Sequence, residues 1–199
     1  GIVAQDVGRL DRLITDIARA SRIEAETARG DPGAVDLGAM LSQLVRAYEA
    51  PPGEAEDLAR VVFVGAIPAD AIVLGQDGPL GQVFRNLIDN ARSFSPKGGT
   101  VSVSMNVIRA KGIVRATVED EGPGIPPDNL ETVFERFYTD RPKGRAFGSN
   151  SGLGLSIARG FVEAMGGTLT AANRNDRRGA IFTIILPVPT PNERLETAA

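Results

Sequence analysis

Between Gln82 and Phe94 the chain reads QVFRNLIDNARSF, a stretch that limits the possible folds more than any other. Phe84, Leu87, Ile88 and Ala91 recur at the spacing that lays one apolar stripe along a helix, while Gln82, Asn86, Asn90 and Ser93 form a polar stripe beside it. Such a helix buries one edge in a core and turns the other to a cavity or to water. Asn86 and Asn90 stand one helical turn apart, and each amide offers a carbonyl oxygen and an NH2 group. A neutral amide oxygen suits Mg²⁺, which keeps several waters and takes its other ligands from protein oxygens and nucleotide phosphates. Two merely solvated amides would show the same spacing.

The rest of the chain alternates helical and strand periods. Asp36 is expected to cap a helix running to about Glu49 and closed by Pro51-Pro52-Gly53, with strands following at 61–64 and 71–74. Asp77 is expected to cap the helix that contains the 82–94 stretch, Pro79 being tolerated in its first turn. The runs 100–107 and 112–118 alternate apolar and polar residues and should be adjacent strands with one buried face. A helix over 152–165 closes at Gly166-Gly167, strands at 168–172 and 180–186 complete the sheet, and the chain frays from Pro187 onward. These segments predict an α+β fold, a two-layer α/β sandwich with a mixed sheet of about five strands covered on one face by about three helices.

Ahead of this unit, Val3, Val7, Leu10, Ile14 and Ile17 alternate spacings of four and three, which reads as one long helix over 2–28. The pattern fits either a coiled-coil seam or an ordinary amphipathic helix. Arg29-Gly30-Asp31-Pro32-Gly33 stops that helix and serves as a linker. The expected organisation is therefore 1–30, 31–190 and a tail at 191–199.

With 199 residues, 42% of them hydrophobic, the chain can bury one full core. A net charge of -3 without a basic run speaks against nucleic-acid binding, and the absence of cysteine excludes disulfides and thiolate metal sites. No apolar run is long enough to cross a bilayer, and the first residues lack the basic-then-apolar pattern of a leader, so no membrane segment is expected in this chain. Histidine is absent altogether.

Three further stretches follow the Asn86–Asn90 helix: Asp120-Glu121-Gly122-Pro123-Gly124-Ile125-Pro126, then Val133-Phe134-Glu135-Arg136-Phe137-Tyr138, then Asn150-Ser151-Gly152-Leu153-Gly154-Leu155-Ser156-Ile157. Asp120 ends a predicted buried strand and precedes a turn rich in Gly and Pro, which should aim its carboxylate into a pocket floor. A turn Asp that caps its own loop is the plainer alternative. The third stretch opens a helix whose free N–H groups suit phosphate.

In this order the four stretches resemble the N, first glycine, F and second glycine boxes of the sensor histidine kinase catalytic domain, in the ATPase/kinase superfamily that includes gyrase, a heat-shock chaperone and MutL. The resemblance covers roughly residues 36–188. It implies the Bergerat-type ATP-binding fold, with ATP or ADP and Mg²⁺ as cofactors and Asn90 as the metal ligand. It further implies that Asp120 reads the adenine amino group, with Gly122, Gly124, Ile125, Phe94, Tyr138, Leu153, Leu155 and Thr183 around the nucleotide. Asn86, Lys143, Ser151, Gly152 and Gly154 would complete the site, and Asn86, Asn90 and Arg141 would serve catalysis. Residues 1–30 resemble the second helix of a dimerisation hairpin, whose first helix would carry the phospho-accepting His that this chain lacks.

The expected reaction is transfer of the γ-phosphoryl group of ATP to that His and onward to a response regulator Asp. Homodimerisation of the full-length protein is implied, as is a parent anchored in the bacterial inner membrane with this part in the cytoplasm. ATP-hydrolysing relatives place a Glu one turn before the metal-binding Asn, where this chain has Asn86. The chain departs from the pattern in three places: Thr139 stands where an Arg often follows the F-box Tyr, Ser93 replaces a common Lys beside Arg92, and Asn150 replaces a leading glycine. A GHKL-type ATPase and a nucleotide-binding scaffold or degenerate kinase are the alternatives these departures leave.

Overall fold

The computed structural model describes residues 32–49, 58–138 and 152–189. In chain order its elements are β1 (Gly33–Asp36), α1 (Leu37–Ala47), β2 (Arg60–Phe63), β3 (Ile72–Gly75), α2 (Asp77–Phe94), β4 (Thr100–Ile108), β5 (Ile113–Glu119), α3 (Gly154–Ala164), β6 (Thr168–Asn173) and β7 (Ala180–Pro187).

Five strands form one mixed sheet in the order β2-β4-β5-β7-β6. The β2–β4 pair is parallel and the other three pairs are antiparallel. Alternation along the strands divides the two faces. Val101, Val103, Met105, Val114, Ala116, Val118, Phe182, Ile184 and Leu186 are buried in the core that the helices cover. The opposite face carries polar pairs such as Ser104 and Thr117, whose hydroxyls lie 2.7 Å apart. α2 is the central cover: Leu80, Val83, Phe84, Leu87, Ile88 and Ala91 are all fully buried, each large apolar side chain contributing about 1.5–3 kcal/mol.

Asp36 caps α1 as expected, its Oδ1 accepting from Ala39 N–H at 2.9 Å. The N-terminus of α2 differs. Gln76 holds the extended cap conformation but its side chain does not cap the helix, and Asp77 is the first helical residue. There its charge still complements the positive end of the helix, and Pro79 sits buried in the first turn.

The expected linker also contributes structure. Gly33–Asp36 forms β1, which pairs antiparallel with β3, Gly33 opposite Gly75, so the strand expected at 71–74 belongs to a separate two-stranded ribbon. The strand expected to end at Leu186 runs to Pro187, and Val188 N–H donates to Gly112 O at 2.8 Å, so fastened backbone extends past Pro187. The long helix expected over 2–28, the Pro51-Pro52-Gly53 stop and the 191–199 tail lie outside the described residues.

Candidate functional site

The polar stripe of α2 meets another part of the protein at each end. At one end the Asn86 amide donates to Gly154 O at 3.0 Å and accepts from Gln82 Nε2 at 2.7 Å, which ties α2 to the start of α3. At the other end, a Cβ placed on Gly122 would fall 3.0 Å from Phe94 O and 2.9 Å from Asp120 Oδ1. The turn after β5 thus lies directly against the C-terminus of α2. Asn90 stands midway, half-buried, its backbone carbonyl taken by Ser93 Oγ at 2.8 Å. Asn86 and Phe94 are eight residues apart, so the strip between the two contacts is about 12 Å long.

Asp120 is 2% exposed. Its Oδ1 accepts from Gly122 N–H at 2.8 Å and Ala180 N–H at 3.0 Å. Both donors reach Oδ1, and among the described residues none donates to Oδ2. Burial raises the pKa of this carboxyl, against the lowering effect of the two N–H groups and of Arg174. The geometry is that of an acceptor held in place on one oxygen, with the other left without a donor from the described residues.

The turn that follows is fastened at its far end. The Asn173 amide donates to Ile125 O and accepts from Ile125 N–H, both at 2.7 Å. Gly124 has φ +83° and approaches so closely that a Cβ there would meet Asn173 Oδ1 at 2.7 Å. A cleft of about 350 Å³ opens between this turn and residues 174–179. Two of the arginines that line it are paired: Arg174 with Glu119 and Asp176, both at 3.3 Å, and Arg177 with Asp176 at 3.2 Å and Glu121 at 3.6 Å.

The third and fourth sequence stretches also meet. Phe137 N–H donates to Gly152 O at 3.0 Å, and a Cβ on Gly152, whose φ is +77°, would fall 2.8 Å from the Phe137 carbonyl carbon. Phe137 itself has φ 67° and is 60% exposed. Behind it, Phe134 packs edge-to-face on Phe182 and lies under the Arg159 guanidinium, which pairs with Glu131 at 2.8 Å and Glu163 at 3.1 Å. Leu153 is buried, while Leu155 and Ile125 pack partly buried against the core, and Tyr138 is half-buried.

Arg141, Lys143 and Ser151 lie outside the described residues. Thr183 does not join the others: it alternates with the buried Phe182 and Ile184, so its side chain takes the opposite face of the sheet from the helix-facing core, beside its register partners Thr117 and Thr170. Arg92 is otherwise engaged. Its Nε donates to Ala59 O at 3.1 Å and its guanidinium covers the Tyr48 ring at 5.1 Å. The Tyr48 hydroxyl in turn donates to Asp89 at 2.8 Å, and burial holds its pKa above the usual tyrosine value.

Asn173 was not visible in the sequence as a site residue. A lone Asn at a strand end carries no spacing signal toward Ile125, 48 positions away. No group of three or more His, Cys, Asp or Glu that could hold a metal occurs among the described residues. A neutral amide such as Asn90 fits a cation that takes its other ligands from water and a phosphate-bearing molecule.

Residues 75–190 match the family described as histidine kinase-, DNA gyrase B-, and HSP90-like ATPase. Sensor protein ChvG of Agrobacterium fabrum is 44% identical over 202 residues, covering 97% of this chain and 33% of the relative. Sensor protein ChvG of Rhizobium meliloti is 45% identical over 194 residues, covering 94% and 33%. The chain thus spans about a third of the length of these curated relatives. Among solved structures, the mycobacterial sensor histidine kinase MprB superposes with a TM-score of 0.62 at 29% identity, over 80% of this chain and 99% of that one. Full-length ShkA in complex with AMPPNP gives a TM-score of 0.70 at 26% identity, over 93% of this chain and 37% of that one. With its glycine turns meeting the two ends of the polar stripe on one Asn-bearing helix and its sequence matched across that whole region, the chain belongs to the histidine kinase-, DNA gyrase B- and HSP90-like ATPase family, in its sensor histidine kinase branch.

Proposed function

We propose that this chain binds Mg-ATP along the polar stripe of α2 and transfers the γ-phosphoryl group to a His on a dimerisation helix, from which a response regulator Asp receives it. The observation that carries the reading is the placement of the Asp120 turn and the Gly154 helix start at opposite ends of one strip, with Asn90 between them. An extended nucleoside triphosphate fits that span, base at Asp120 and phosphates at α3. The AMPPNP complex of ShkA supports the same choice of ligand.

Asp120 Oδ2 accepts from the exocyclic amine of the base. The N–H groups of Gly154, Leu155 and Ser156 open α3 and receive phosphate oxygens. Asn90 would hold Mg²⁺, which when bound offsets charge on the terminal phosphates. Asn86 keeps α3 in place through Gly154, while Ile125, Phe94, Tyr138, Leu153, Ser151 and Lys143 border the nucleotide and Arg141 meets charge developing on the transferred group. An imidazole nitrogen attacks the γ-phosphorus in line. The P–N bond forms as the bond to the ADP oxygen breaks, and the imidazole gives up its proton. With Asn86 where hydrolysing relatives have Glu, that position offers water no base.

The test uses this chain, Mg²⁺, γ-labelled ATP and a separately made dimerisation hairpin bearing its His. Acid-labile, base-stable label on the hairpin is expected. Tight ATP binding with no label would overturn the transfer reading and favour a scaffold.

A further inference from the structure

Asp120 is oriented by two backbone N–H groups, and both trace back to one rung of the β6–β7 ladder. In that rung Asn173 lies opposite Ala180. Ala180 N–H reaches Asp120 Oδ1 directly at 3.0 Å. Asn173 acts at the other end of the turn, where its side-chain amide satisfies both the N–H and the carbonyl of Ile125 at 2.7 Å. The side chain there does what a neighbouring strand's backbone would do, at a point where no strand continues. Gly124 admits the amide because it has no Cβ, and its positive φ turns the chain back toward Gly122, whose N–H holds Asp120 Oδ1 at 2.8 Å. Between the Asn173 clamp and the Asp120 carboxylate the turn is four residues long, so release at one end shifts the other.

We propose that Asn173 is a positioning residue that sets the base selectivity of the nucleotide site, acting through Ile125 and Gly122 on the direction of Asp120 Oδ2. The inference rests on the reading of Asp120 as acceptor for the adenine amine. Inosine triphosphate carries a carbonyl oxygen in place of that amine, so a correctly aimed carboxylate accepts from ATP and repels the analogue. With the turn released, the carboxylate keeps its burial but loses its aim.

The test is calorimetric titration of the 199-residue chain with Mg-ATP and Mg-ITP, for wild type, Asn173→Ala, Asn173→Asp and Asp120→Asn. Wild type is expected to prefer ATP. Asn173→Ala should weaken ATP about tenfold, the effect of about two lost hydrogen bonds, and leave ITP nearly unchanged, so that the preference collapses. Asn173→Asp keeps the shape and the bond from Ile125 N–H but sets a carboxylate against Ile125 O, and should lie between the two. That variant carries the same test if Asn173→Ala does not fold. Equal weakening of both nucleotides, or an unchanged preference in either Asn173 variant while Asp120→Asn loses it, overturns the inference and leaves the Asp120 reading intact. Absence of any preference in wild type overturns both.

Discussion

At Asp120 burial works against the charge that the proposed recognition of the base requires. Burial raises its pKa above 3.8, so the native state binds the proton more tightly than the unfolded chain does. Stability therefore falls as pH rises from the unfolded value through the raised one, and the deficit persists at neutral pH. Asp120→Asn keeps an oxygen for the Gly122 and Ala180 N–H groups and removes the buried charge. It should melt a few degrees higher than wild type at neutral pH, with the gap narrowing as pH approaches 3.8; a lower melting point at neutral pH would contradict this. In calorimetry Asp120→Ala should weaken ATP by about fivefold to a hundredfold, corresponding to about 1–3 kcal/mol. Asp120 was legible in the sequence because a strand period ends there and a Gly-Pro turn begins. Thr183 was misplaced, although its alternation with Phe182 and Ile184 carries the correct face. Asn173 was invisible, since its partner is fixed only by the ladder that brings β6 beside the turn.

At the scale of elements, α2 and α3 form one unit through Asn86 and Gly154, and the two glycines that begin the α3 region differ in what they tolerate. Gly154→Ala places a Cβ 3.6 Å from Asn86 Cγ, an ordinary contact, so the change in stability should stay within about 0.5 kcal/mol. Gly152→Ala puts a Cβ 2.8 Å from the Phe137 carbonyl carbon at φ +77° and should cost about 1–3 kcal/mol or more. Urea denaturation of the two variants checks the pair, and equal effects would contradict the geometry. The helices and the five-stranded sheet were legible because each has a strong period. β1 was not: Gly33-Ala34-Val35-Asp36 follows a Gly-Pro stop, and only pairing with β3 makes it a strand. Asp77 and Gln76 differ by one residue at a helix start, a distinction set by backbone dihedrals more than by residue type.

For the whole molecule, the mixed sheet supplies a rigid floor, α2 the polar wall above it, and the turns at Asp120 and Gly152 the two ends of the site. Without a Glu before Asn90, this chain alone should release phosphate from ATP at close to the background rate, and sustained turnover in a phosphate-release assay would instead favour an ATPase. The most direct test of the account is a crystal structure of this chain with Mg²⁺ and a non-hydrolysable ATP analogue. The predicted result is the adenine amine within about 3 Å of Asp120 Oδ2, the phosphates at the start of α3 and the Asn90 amide oxygen on the metal. A nucleotide bound away from α2, or lying on it with the base turned from Asp120, would contradict it.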